Sequence, residues 1–145
     1  MRTTFESLLN LKRWNEDEAK NRVALRIREL AAEEHRLVHI EKQYQAYQQK
    51  AGVLLDGFID IDEMRKIHDH LDHLVVRIRQ QKSVIEDRKR RLDEARKSLL
   101  EASKERKIFE RLDEKERLAM ERGLLKDEQR RTDEYVVSGY KRNRT

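Results

Sequence analysis

Residues 64–109, MRKIHDHLDHLVVRIRQQKSVIEDRKRRLDEARKSLLEASKERKIF, decide the fold. Steps of three and four from Met64 visit Met64, Ile67, Leu71, Leu74, Ile78, Gln81, Ile85, Arg88, Leu92, Ala95, Leu99, Ala102, Arg106 and Phe109. Eleven of these fourteen positions are apolar, in a segment dominated by charge. A 3.5-residue repeat of this kind keeps one narrow seam facing a partner helix. A helix lying on a globular core carries a wider apolar stripe. The spacing predicts a coiled-coil helix.

A second seam lies upstream. It runs Phe5, Leu9, Lys12, Glu16, Ala19, Val23, Arg26, Leu30, Glu33, Leu37, Ile40, Tyr44, Tyr47, Ala51, with ten of fourteen positions apolar. Lys12, Glu16, Arg26 and Glu33 interrupt it and are expected to weaken the pairing or set its register. Leu8, Leu11, Trp14, Leu25 and Ile27 lie off the seam, leaving a second apolar strip partly exposed.

Between the seams, AGVLLDGFIDIDEM (residues 51–64) holds two of the four glycines. Gly52 suits a helix C-cap and Asp56-Gly57 a turn, while Asp60 with Glu63 has capping-box spacing. Helix one is expected over about 4–50, a tip over 51–60, and helix two from about 61 to 137, before a basic tail at 138–145. A short link between long helices makes them antiparallel neighbours. The expected fold is all-α, a single elongated domain over residues 1–145, built as an antiparallel coiled-coil hairpin whose second helix is the longer. At 1.5 Å per residue the helices would span roughly 70 and 115 Å. Residue i should face about 111 − i, leaving helix two unpartnered beyond about residue 108. Asp113 and Glu116 break the seam there, Gly123 could hinge, and Ser138-Gly139 is the expected stop.

Composition agrees with two helices rather than a ball. Of 145 residues, 43% are charged and 37% hydrophobic, with no Pro and no Cys. A globular domain is about 25% charged, so a thick core is excluded. The 34 basic and 29 acidic residues nearly cancel, which argues against simple charge-driven disorder. Absence of Cys removes disulfides, thiol nucleophiles and Cys-based metal sites. No apolar run approaches the roughly 18 residues of a membrane span. Glu6 interrupts any signal core, so no signal peptide is expected.

Charge is unevenly placed. Residues 77–107 hold twelve Lys or Arg against six acids, and residues 56–76 hold six acids against Arg65 and Lys66. The basic belt raises a nucleic-acid reading, but interleaved acids and the lack of stacking aromatics favour a solvated face. His35 with His39 and His70 with His73 share helix faces, and the expected register would bring the pairs together as a candidate metal set. No HExxH motif accompanies them, and no metal or other cofactor is assigned. Phosphate-binding loops and nucleophile elbows are missing, and two helices offer no dry pocket for tuning a pKa. No catalytic residue is assigned, and the chain is not expected to be an enzyme. Tyr44 and Tyr47 on the seam, and Phe5 and Trp14 toward the open end, suit packing or partner contact.

Three segments in order carry a family resemblance: FESLLNLKRWNEDEAKNRV (5–23), the Leu37-x-x-Ile40-x-x-x-Tyr44 spacing followed by Tyr47, and KERKIFERLDEKERLAMERGLLKDEQRRTDEY (104–135). Together they resemble the FliJ family of bacterial flagellar type III export, and are similar also to the injectisome stalk proteins of the related virulence secretion systems. The resemblance implies an antiparallel coiled coil like the stalk of the rotary ATPase gamma subunit. It implies insertion into a hexameric export ATPase, promotion of its assembly, linkage to the cytoplasmic domain of the export gate, and escort of substrate-specific export chaperones. The implied location is cytoplasmic, peripheral to the inner face of the membrane at the flagellar base, with no nucleic-acid partner. The family's gate-binding surface maps best onto Ile40, Tyr44, Tyr47, His70, Leu74 and Gln81. His70 stands where the family often carries an aromatic, and the Tyr spacing is shorter than a full turn. The ATPase surface is expected within residues 5–27 and 106–137, at Phe5, Leu8, Leu11, Trp14, Phe109, Leu112 and Leu118. The competing readings are a scaffolding coiled coil self-associating through 108–137 and a basic nucleic-acid binder.

Overall fold

The structure, a computed structural model, describes residues 2–55 and 60–143. Two helices account for nearly all of them: α1 (Glu6–Leu55, 50 residues) and α2 (Ile61–Asn143, 83 residues). No strand occurs among the described residues. The Asp56-Gly57 turn signal lies outside them.

The expected seams are where the burial is. All fourteen α1 seam positions and all fourteen of α2 are buried or half-buried. The buried apolar set is Leu9, Ala19, Ile40, Ile67, Leu74, Ile85, Leu92 and Ala95, every one a seam residue. Area removed from water at these positions holds the helices together.

Contacts divide the chain into two compact units, residues 19–99 and residues 1–18 with 100–145. In the first, the C-terminal part of α1 pairs antiparallel with the start of α2. The Tyr47 and His70 rings meet at 4.1 Å, and Gln81 bonds to Glu33. Asp60 caps α2, its carboxylate accepting the Asp62 N–H at 3.0 Å and its carbonyl accepting that of Met64 at 3.0 Å. This is the expected N-cap role.

In the second unit, the start of α1 pairs antiparallel with α2. Phe5 and Phe109 lie 6.3 Å apart, tilted by 57°. Lys12 reaches Glu105 at 2.8 Å, and Glu16 accepts from Arg106 at 2.8 Å. Beyond Met120, residues 121–138 are exposed at every position.

Three expectations are corrected. Gly52 does not cap α1, which continues to Leu55. Ser138-Gly139 does not stop α2, which runs through both residues and through Gly123 to Asn143. All three glycines have open space around the Cβ position, and none has positive φ. Nothing forces the backbone out of the helix there, and a helical Gly costs only about 1 kcal/mol. The register is also displaced. Glu33 meets Gln81 and Tyr47 meets His70, so partners sit a few residues further along α2 than 111 − i. The cause is the longer α1, which moves the reversal to between Leu55 and Ile61. Pairing therefore reaches Asp113 and Glu116, and the unpaired part of α2 begins near residue 121 instead of 108.

Candidate partner-binding surfaces

In the unit containing the N-terminus, two threonines fasten the start of the chain to α2. The Thr3 hydroxyl donates to the Asp113 carboxylate. Thr4 donates its backbone N–H and its hydroxyl to Glu116 at 2.9 and 2.6 Å. Asp113 and Glu116 are the acids that seemed to break the seam; they instead continue it as hydrogen-bond acceptors. The hydroxyl from Thr3, aided by Arg117, holds the Asp113 carboxyl below its ordinary range, and Thr4 does the same to Glu116. Glu16, also on the seam, accepts from Arg106, whose guanidinium is in turn held charged by Glu16 and Glu110.

A carboxylate whose pKa is lowered on folding contributes stability above its unfolded pKa and loses it as pH falls through the folded value. Acidification below about pH 4 should therefore loosen the Thr3 and Thr4 contacts. Protection of the amides of residues 4–9, measured against the intrinsic exchange rate at each pH, should fall between pH 6 and pH 3. A Thr3→Val/Thr4→Val double variant should show fast exchange already at pH 6. Unchanged protection in that variant would remove the threonines from the account.

This same unit presents the exposed apolar strip. Leu8 and Leu11 are 43% and 49% exposed and Trp14 is 61% exposed, with i, i+3 spacing that lines them along α1. Leu118 on α2 is exposed, Leu112 half-buried, and Phe5 and Phe109 half-buried against each other. Leu124, Leu125, Tyr135, Val136 and Val137 continue the exposed apolar content along the unpaired part of α2. Of the seven positions expected at an ATPase, four present their side chains openly: Leu8, Leu11, Trp14 and Leu118.

In the 19–99 unit the six positions expected at the gate divide differently. Ile40 and Leu74 are buried in the seam, Leu74 completely. Gln81 is half-buried, its amide donating to the Glu33 carboxylate at 2.7 Å and carbonyl at 2.9 Å. Those bonds, with Arg36, hold the Glu33 carboxyl below its ordinary range. Tyr44, Tyr47 and His70 are half-buried. Tyr47 and His70 border an open cavity of about 560 Å³ that also touches Val53, Leu54 and Ile67. Lys50 lies 5.7 Å over the Tyr47 ring.

The two histidine pairs do not meet. His35 and His39 line a groove with Arg77 and Gln81, whereas His70 lies against Tyr47 and 6.4 Å from His73. No group of three or more His, Asp or Glu that could hold a metal occurs among the described residues. Within the basic belt, Arg88, Arg90 and Arg91 all reach Asp87, and Lys89 reaches Glu86. The Arg88–Arg91 run thus has acidic neighbours, mostly i, i+3 and i, i+4 partners on the same helix. No helix among the described residues is long and apolar enough to cross a membrane.

The sequence reading did not foresee the Thr3 and Thr4 contacts or the groove beside His35 and His39. The first had a signal: two hydroxyls at one end of a seam and two acids at seam positions on the other helix. The second depends on which faces are juxtaposed across the pair, which no single helix reveals.

No curated protein and no solved structure matches the chain. A family model described as "Flagellar FliJ protein" matches residues 1–145. That match spans the seams, the threonine contacts and the exposed strip alike, and on it the chain belongs to the flagellar FliJ protein family.

Proposed function

We propose that this flagellar export-related coiled-coil protein is the stalk of the export ATPase. The family is a non-catalytic export component, so the action lies in surfaces. In this reading the unit holding both chain ends inserts into the hexameric ATPase ring, promotes its assembly and raises its turnover. The 19–99 unit engages the cytoplasmic domain of the export gate and receives substrate-specific chaperones. The protein then works in the cytoplasm, held at the inner membrane face through its partners.

The observation that carries the reading is the coexistence, in one unit, of an exposed Leu8–Leu11–Trp14 strip and an α2 segment exposed from 121 to 138. An amphipathic segment without a partner is marginal alone, and clustered exposed apolar residues mark interaction sites. A ring with an apolar central passage would cover both. At the gate surface, Tyr44, Tyr47 and His70 supply contact while Ile40 and Leu74 support them from the seam and Gln81 fixes the register.

The test is to mix the purified chain with its cognate export ATPase. Hexamer formation and ATP turnover should both rise, with saturation near one chain per hexamer. No change in either would sink the stalk reading. Sedimentation of the chain alone as a dimer, lost on removing residues 121–145, would favour a self-associating scaffold instead.

A further inference from the structure

Three of the four polar residues that interrupt the α1 seam find an answering group on α2: Glu33 takes Gln81, Glu16 takes Arg106 and Lys12 takes Glu105. The fourth, Arg26, meets its like. One heptad from the Glu33–Gln81 pair, toward the start of α1 and the end of α2, the antiparallel register sets Arg26 against Arg88. Their side chains are only 28% and 26% exposed. Among the described residues each bonds within its own helix, Arg26 to Glu29 and Arg88 to Asp87.

Those bonds draw both guanidinium heads to one edge of the pair, beside Arg22 of α1 and Arg91 of α2. Their stems stay in the seam among Val23, Leu30, Ile85 and Leu92, all buried or half-buried, as long cationic side chains do. Charge on this edge is badly balanced. Arg88, Arg90 and Arg91 share the single Asp87 carboxylate at 3.4, 3.8 and 3.1 Å. Arg22 makes no ion pair or hydrogen bond among the described residues, and Glu33 is already held by Gln81 and Arg36. Like charges gathered in a partly desolvated layer repel unless an anion lies between them.

We infer that the Arg22–Arg26–Arg88–Arg91 layer binds a diphosphate group, which bridges α1 and α2. Arg22 and Arg26 are i, i+4 and Arg88 and Arg91 are i, i+3, so the four span about 6 Å of helix axis, one turn. Such a layer suits a compact anion of high charge, and guanidinium forks grip phosphate oxygens in pairs. An acidic helix would spread its carboxylates over several turns. It would then meet Glu94 at one end of the layer and Glu33 at the other, both of its own sign. A nucleic-acid strand would meet the same acids, and neither 19–30 nor 84–95 holds an aromatic on which bases could stack. The four arginines lie outside the residues named for the ATPase and the gate, so the inference goes beyond the proposed function.

The test is calorimetric titration of the full chain with pyrophosphate in magnesium-free buffer, against chloride at equal ionic strength. Saturable binding of one pyrophosphate per chain is expected, tighter than about 1 mM, with the melting temperature rising alongside. ADP should bind equally, because only its diphosphate is gripped. Phosphatidylglycerol vesicles present single phosphates and should bind at least about tenfold more weakly. Arg26→Gln/Arg88→Gln should weaken pyrophosphate binding by at least about thirtyfold. Lys104→Gln/Lys107→Gln, at exposed cations of the other unit, should leave it unchanged. Arg26→Leu/Arg88→Leu should melt above the unliganded parent, since apolar contact replaces repulsion, and should no longer respond to pyrophosphate. Absence of saturable binding at about 1 mM, or undiminished binding by the Arg26/Arg88 variants, would overturn the proposal. So would a requirement for the nucleoside, or tighter Arg26-dependent binding of a polyglutamate peptide, an oligonucleotide or the vesicles.

Discussion

Leu74→Ala should cost the 19–99 unit about 2–4 kcal/mol, the range for truncating a buried leucine to alanine. Leu74 is 0% exposed and is the fully buried large side chain of the seam. It sits one heptad before Gln81, so its loss removes apolar contact beside the polar pair that holds Glu33. A seam only two helices thick can partly collapse or admit water, which places the cost below the top of the range for globular cores. Urea unfolding followed by circular dichroism at 222 nm reads the effect. Ile61→Ala provides the comparison: Ile61 is 70% exposed, and its truncation should move stability by less than about 0.5 kcal/mol. A Leu74→Ala cost below about 1 kcal/mol would mean that this seam does not hold the unit together.

Leu11→Asp/Trp14→Asp should lower the chain's affinity for the export ATPase by at least about thirtyfold while leaving its helicity intact. Trp14 is largely exposed and Leu11 half exposed, and neither side chain makes a hydrogen bond among the described residues, so folding loses little. Aromatic residues in such positions are the commonest binding hot spots, each worth about 2 kcal/mol or more when removed, which is about thirtyfold. The reading requires stimulation of ATP turnover to fall in parallel. Tyr47→Ala, in the other unit, should leave ATPase stimulation unchanged and impair association with the gate. Full stimulation by the Leu11/Trp14 variant would remove the strip from the ATPase contact.

Both seams were legible in the sequence because a 3.5-residue repeat is a local, one-dimensional signal and burial follows it directly. The start of α2 was legible for the same reason, since an Asp N-cap is read from adjacent residues. The ends of the helices were not. Gly52 and Gly139 carry a statistical stop signal, but a stop needs another conformation to win, and open space around both leaves the helix unopposed. Register failed as a consequence, since it was counted from a reversal placed too early. The exposure of Leu8, Leu11 and Trp14 was legible because they lie off the seam. Ile40 and Leu74 were harder: a seam residue and a contact residue look alike until burial is known.

The Glu33–Gln81 pair has a mechanical consequence. Consider α1 sliding along α2 by one heptad under axial load. In one direction Glu33 moves from Gln81 to Leu74, and its carboxylate loses every donor the pair now provides. In the other it moves to Arg88, a cation that already contributes to holding it ionised. Resistance to shear is therefore unequal for push and pull. Single-molecule loading through the two ends of the 19–99 unit should find one direction stiffer, and Glu33→Leu should make the two alike.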